Sequence, residues 1–232
     1  MTAQNLRTCV EEFAGRLNAV LAGAIDTPAR FVSTGSRDSG RAFVRAVERH
    51  GDPAGGLALL RATDAPRAPA LFLNAHYTVE IGPAGSRLRV AASSVGLWAD
   101  VTGGRKRPRP LVRVEYNRSQ LRRGRAAAHV HLHANSPELA RMYGSSGRPA
   151  PDLHALHFPV GGRRFRPTLE EFLLFLDREN LFDNWKAGWK PKVLDSLDAW
   201  ERQQARATAR QFPDEAIGAL ETLGYSVTAP SV

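Results

Sequence analysis

The sequence predicts an α+β protein: an antiparallel β-meander of five to six strands, packed with helices before and after it. Three observations carry this. Apolar residues repeat every three to four positions near the N-terminus, alternate strictly from Ala70, and return to helical spacing after Gly161-Gly162. The alternating stretches are joined by turns rather than helices, as in antiparallel sheets. Thr168 followed by Glu171, with Pro167 before them, is a capping box that marks the return to helix.

The elements follow in order. Leu6, Val10, Phe13, Leu17 and Leu21 form one apolar stripe of a helix from Gln4 to Ala24, stopped by Asp26-Thr27-Pro28. The Ser33–Gly40 stretch, STGSRDSG, reads as a loop that lacks the Lys-Ser/Thr ending of a phosphate loop. A second helix is expected over Arg41 to His50, with Phe43, Val44 and Val47 inward and Gly51 as its stop. In LFLNAHYTVEI, Leu71, Leu73, Ala75, Tyr77 and Val79 take one face of a strand and Asn74, His76, Thr78 and Glu80 the other. Arg87–Ala92, Val95–Val101, Leu111–Asn117, Ala127–Ala134 and Leu153–Val160 read as further strands. Leu169, Phe172, Leu173 and Leu176 then give an apolar helix that covers the sheet. Pro191 starts a helix with Trp189, Val193, Leu197 and Trp200 on one face, and Pro213 a shorter one. These patterns divide the chain into an α+β core over 1–178 and a helical appendage over 179–232.

A chain of 232 residues buries a core without covalent staples. Its one cysteine, Cys9, excludes an intramolecular disulfide and a cysteine-based zinc cluster. No apolar run reaches membrane-spanning length and the N-terminal residues include acids, so a cytoplasmic protein without membrane contact is expected. The formal net charge of +9 is unevenly placed. Between Gly103 and Arg166 there are 14 lysines and arginines against Glu115, Glu138 and Asp152. A cationic excess confined to one segment suits a nucleic-acid face, with RNA the expected ligand; a solvated, arginine-rich surface is the plainer account.

That basic segment also holds most of the histidines. His129, His131 and His133 stand at i, i+2 and i+4, which on a strand puts three imidazoles on one face roughly 7 Å apart. Three readings stay open. The histidines could be half-exposed surface groups, could serve as general acid and base near neutral pH, or could supply two ligands of a metal site. In the acid–base reading, His131 or His129 is the base and His157 or His133 the acid. His154 falls on the opposite strand face from His157, and His76 lies on the polar face of its own strand. Arg163, Arg164 and Arg166 follow a Gly-Gly turn into a helix N-terminus, parts that suit a phosphate clamp. Arg105, Lys106, Arg107 and Arg109 form a loop arm for a nucleic-acid backbone, and Arg122, Arg123 and Arg125 extend it. No metal or cofactor is required by this scheme.

The segments HVHLHANS (129–136), LHFPVGGRRFRPTLEEFLLFL (156–176) and ALETLGYSV (219–227) resemble a family of actinobacterial proteins. The order of parts also resembles the small TumE-like toxins of type II toxin–antitoxin systems, with RVEYN (113–117), HVHLH and RPTLEEF as counterparts. This likeness covers the middle of the chain and omits both the N-terminal helices and the Trp-rich C-terminus. It implies a β-meander closed by a capped helix, a metal-independent ribonuclease activity and a protein antitoxin. The expected function is therefore nucleic-acid binding, with toxin-like ribonuclease activity as one form. The alternative is a non-enzymatic subunit of a toxin–antitoxin or phage-defence complex, meeting a protein partner through the Trp-bearing helices.

Overall fold

The computed structural model describes residues 3–35, 40–48, 57–60, 70–82, 88–100, 108–123, 126–134, 158–160 and 166–228. Helix α1 (Ala3–Ala24) precedes strands β1 (Arg30–Gly35), β2 (Arg41–Val47), β3 (Leu57–Leu60), β4 (Ala70–Ile81), β5 (Leu88–Asp100), β6 (Arg109–Asn117), β7 (Ala128–Leu132) and β8 (Phe158–Pro159). Helices α2 (Leu169–Arg178), α3 (Trp189–Gln211) and α4 (Pro213–Thr222) follow. Seven strands pair in the order β1-β2-β4-β5-β6-β7-β8, and β3 pairs with part of β4. All pairings are antiparallel, so the α+β class holds with more strands than the five to six expected.

The added strands come mainly from the segment before Ala70. Arg41–Val47 is a strand, not the expected helix. RAFVRAV alternates, with Ala42, Val44 and Ala46 buried while Phe43 is 49% exposed. Small and β-branched residues on the inner positions fit a pleated surface closely apposed to a helix, and pairing on both edges fixes the choice. Ser33 to Gly35, expected as loop, belong to β1. Of the two strands expected over Arg87–Ala92 and Val95–Val101, the described residues 88–92 and 95–100 belong to the single strand β5, which runs through Ser93-Ser94. β4 and β5 are the long central pair, each with one register irregularity, at Thr78/Val79 and Leu97/Trp98.

One face of the sheet carries the core. Leu73, Ala75, Tyr77, Val79, Val95, Leu97 and Val112 pack beneath Val10, Leu17, Val20 and Leu21 of α1 and Leu169, Phe172, Leu173 and Leu176 of α2. Asn18 clasps β1 to α1: Phe31 N donates to Asn18 Oδ1 at 2.6 Å, and Asn18 Nδ2 donates to the Phe31 carbonyl at 3.0 Å. The capping box of α2 is formed as expected. Glu171 N donates to Thr168 Oγ1 at 3.0 Å and Thr168 N to Glu171 Oε2 at 2.8 Å.

The Trp-bearing segment is tied into this layer. Trp189 and Val193 are buried in the same core, and Trp185 stacks on Trp189 at 4.0 Å. Trp185 Nε1 donates to the Phe182 carbonyl at 2.8 Å, and Lys186 N donates to the Ala24 carbonyl at 3.0 Å. No helix among the described residues is long and apolar enough to cross a membrane.

Candidate metal centre

The face of the sheet turned away from α1 and α2 is polar, and the strand registers order it into rows. One row runs His76, Ser94, Glu115 and His129 across β4, β5, β6 and β7. The next runs Asn74, Gly96, Arg113 and His131. Alternation along each strand sends Tyr77, Val95, Val114 and Val130 to the opposite face, so these polar groups share one side.

Three of them converge. Glu115 Oε2 lies 3.5 Å from His129 Nε2 and 3.5 Å from His131 Nε2. One donor atom from each of the three residues lies within 4.8 Å of the other two. The His129 and His131 rings meet edge to face, their centroids 4.9 Å apart. That is closer than the strand repeat, because both rings lean toward Glu115. His129 is 4% and His131 5% exposed, so the cluster is largely withdrawn from water. A separation of 3.5 Å is long for an N–H···O hydrogen bond, whose usual length is about 2.9 Å. It matches the edge of a tetrahedron whose centre-to-ligand bonds are about 2.1 Å, the bond length of imidazole and carboxylate to zinc. Two histidines and one carboxylate are also a recurring ligand set for catalytic zinc and non-haem iron.

The surrounding residues orient the cluster. Arg113 Nη1 stands 3.5 Å from Glu115 Oε1, the oxygen turned away from the histidines. Gly96 makes room for that arginine: a Cβ there would fall 2.8 Å from the Val112 carbonyl and 2.9 Å from Arg113 Cγ. His76 is set by Asn74, whose Oδ1 lies 3.1 Å from its Nδ1. A proton on Nδ1 donating to that amide oxygen leaves Nε2 as the basic nitrogen. The His76 pKa is held below its ordinary value, first by partial burial and then by Arg113, with Glu115 acting in the other direction.

His129 and His131 are brought together. His133 lies just past the end of β7, half-buried, its backbone N donating to the Leu111 carbonyl at 3.0 Å. It does not join the three-residue cluster. Arg109 begins β6 and Arg123 ends the 3₁₀ turn Arg118–Arg123; both are exposed, and Arg122 lies on the same turn. Arg166 is not beside the histidines. Its guanidinium sits 5.7 Å from the Tyr77 ring and 5.8 Å from the Trp200 ring, on the helix-covered face. The expected corner joining Arg166 to the histidine strand is thus divided by the sheet. His154, His157, Arg105, Lys106, Arg107, Arg125, Arg163 and Arg164 lie outside the described residues.

Glu115 joins the two histidines without having been among the residues the sequence pattern singles out. Its alternation with Val114 and Tyr116 does place it on a polar face. Its register against His129, across the Arg118–Ala127 connection, cannot be read from the sequence. Against known proteins, the chain matches no family model, no curated protein and no solved structure.

Proposed function

We propose that Glu115, His129 and His131 hold a divalent transition metal, zinc or iron by ligand type, and that the chain uses this centre on an anionic substrate, with nucleic acid the substrate class. The observation that carries the reading is the pair of 3.5 Å separations from one carboxylate oxygen to two imidazole nitrogens. A metal at that point would polarise a phosphoryl oxygen and acidify a bound water. The chain's own groups do the rest. Two neutral imidazoles and one carboxylate leave a dication undercompensated, and Arg113 adds a further positive charge, so the face attracts anions. Arg113 also fixes the Glu115 carboxylate, as an outer-shell partner does. His76, its pKa lowered and its Nδ1 turned to Asn74, is the imidazole placed to take up a proton one strand beyond Ser94. A metal-independent ribonuclease has less support. It needs a base, His131 or His129, and an acid, His157 or His133, on opposite sides of a phosphate; both candidate bases are turned to Glu115 Oε2, His133 does not join them, and His157 lies outside the described residues.

The test is cleavage of labelled single-stranded RNA and DNA with added zinc, manganese or ferrous iron. Metal-dependent cleavage that EDTA stops, and that Glu115→Gln and His131→Ala each lower by at least about a hundredfold, is the expected result. Cleavage unaffected by EDTA would contradict it. A non-enzymatic reading, in which the chain contacts a protein such as an antitoxin, is favoured by one observation. Leu194, Phe212, Leu220, Leu223 and Tyr225 stand exposed along α3, α4 and the residues after it. It predicts binding without turnover.

A further inference from the structure

On the opposite side of the sheet, a cleft of about 650 Å³ opens between α1, the ends of β4 to β6 and the C-terminal half of α3. This volume falls within the range of small-molecule sites, roughly 300–1,000 Å³. Arg16 of α1, Arg118 of the 3₁₀ turn, Arg166 before α2 and Arg210 of α3 all line it. Among the described residues, the acids in its wall are Glu12 and Glu170. Glu170 is already engaged, since Ser196 Oγ donates to its Oε1 at 2.6 Å. A fifth arginine of the wall, Arg89, is held by Glu80 at 2.7 Å. None of the other four has a carboxylate at ion-pair distance among the described residues. Arg166 instead rests between two aromatic rings, Tyr77 and Trp200, and Arg118 lies 5.8 Å from the Tyr116 ring. Rings orient a guanidinium without neutralising it.

A second observation points the same way. Tyr77 is 1% exposed and lines the inner end of the cleft, and its hydroxyl has no hydrogen-bond partner among the described residues. Buried hydroxyls are ordinarily satisfied, and leaving one unmet destabilises the fold. Burial drives the Tyr77 pKa up, with Arg166 acting against it, so the hydroxyl stays a proton donor at all ordinary pH. Four guanidiniums from four separate elements outnumber Glu12 and Glu170 and leave the described wall more positive than one carboxylate needs. Forked donors of this kind suit phosphate oxygens. Trp200, Phe13, Leu88 and Val90 give the remaining wall an apolar character that an inorganic anion would not use.

We infer that this cleft binds a small phosphorylated molecule with a flat apolar body, a nucleoside diphosphate by chemical class, at a site separate from the histidine face. Arg166 and Arg118 grip the phosphates, Tyr77 donates to an oxygen at the closed end, and Trp200 packs against the body.

Calorimetric titration of the full chain with ADP, in EDTA to keep the histidine face out of the reading, tests this. ADP binds at micromolar to sub-millimolar concentration, and adenosine and inorganic phosphate each bind at least about tenfold more weakly. Arg118→Gln and Arg166→Gln each weaken ADP by about tenfold or more, whereas Arg45→Gln on the other sheet face leaves the affinity unchanged. Arg118 is exposed, so its replacement spares folding, and circular dichroism checks Arg166→Gln. No heat at millimolar ADP would overturn the inference. So would wild-type affinity in both cleft variants, or equal binding of ADP and inorganic phosphate.

Discussion

Glu80 shows how a single residue couples the sheet to pH. It sits in register with Arg41 on β2 and Arg89 on β5, and its carboxylate meets Arg41 at 3.1 Å and Arg89 at 2.7 Å. Burial alone would raise its pKa, but hydrogen bonds and charge from Arg89 and then Arg41 outweigh that and hold it below the ordinary value. A carboxyl group whose folded pKa is depressed stabilises the fold above its unfolded pKa, about 4.3 for glutamate, and loses that contribution as pH falls through the folded value. Thermal melts should therefore show Glu80→Gln less stable than the parent at pH 7, with the gap closing as the solution is acidified. A constant gap across that range would show that the pairs contribute nothing through ionisation. Gly96 makes a second prediction at this scale. Its Cβ would collide with the Val112 carbonyl and the Arg113 stem, so Gly96→Ala should cost about 1–3 kcal/mol in denaturant unfolding and loosen the arginine that orients Glu115.

At the scale of elements, legibility followed how much a local pattern decides. The capping box and apolar stripe of α2 lie within about two turns of sequence, and both are present. Thr168→Ala removes an acceptor for Glu171 N at a position 1% exposed, and should lower unfolding free energy by about 1 kcal/mol. β4 was legible for the same reason, its alternation being strict over many residues. Arg41–Val47 was not. Phe43, Val44 and Val47 fit a helical face as well as a strand, and the choice was made by hydrogen-bonding partners on β1 and β4 that lie outside the segment. Ser93-Ser94 fall between two expected strands; in the sheet they are small residues at buried central positions of one continuous strand.

For the whole molecule, the sheet separates two kinds of chemistry that the sequence runs together. Arg166 and His131 both fall in the basic segment, yet strand alternation sends His131 to the face turned away from α1 and α2 while Arg166 meets Tyr77 on the face they cover. The histidines were legible as a strand face. Their convergence on Glu115 was not, because it depends on the register of β6 against β7 across a connection whose length fixes nothing by itself. The central claim is that this convergence is a metal site. Its most direct test is elemental analysis of protein made without a histidine tag and purified without chelator, compared with the Glu115→Gln and His131→Ala variants. The parent should carry close to one zinc or iron per chain, and both variants should lose it. A parent chain that carries no transition metal, and takes none up on dialysis against zinc or ferrous iron, would contradict the claim.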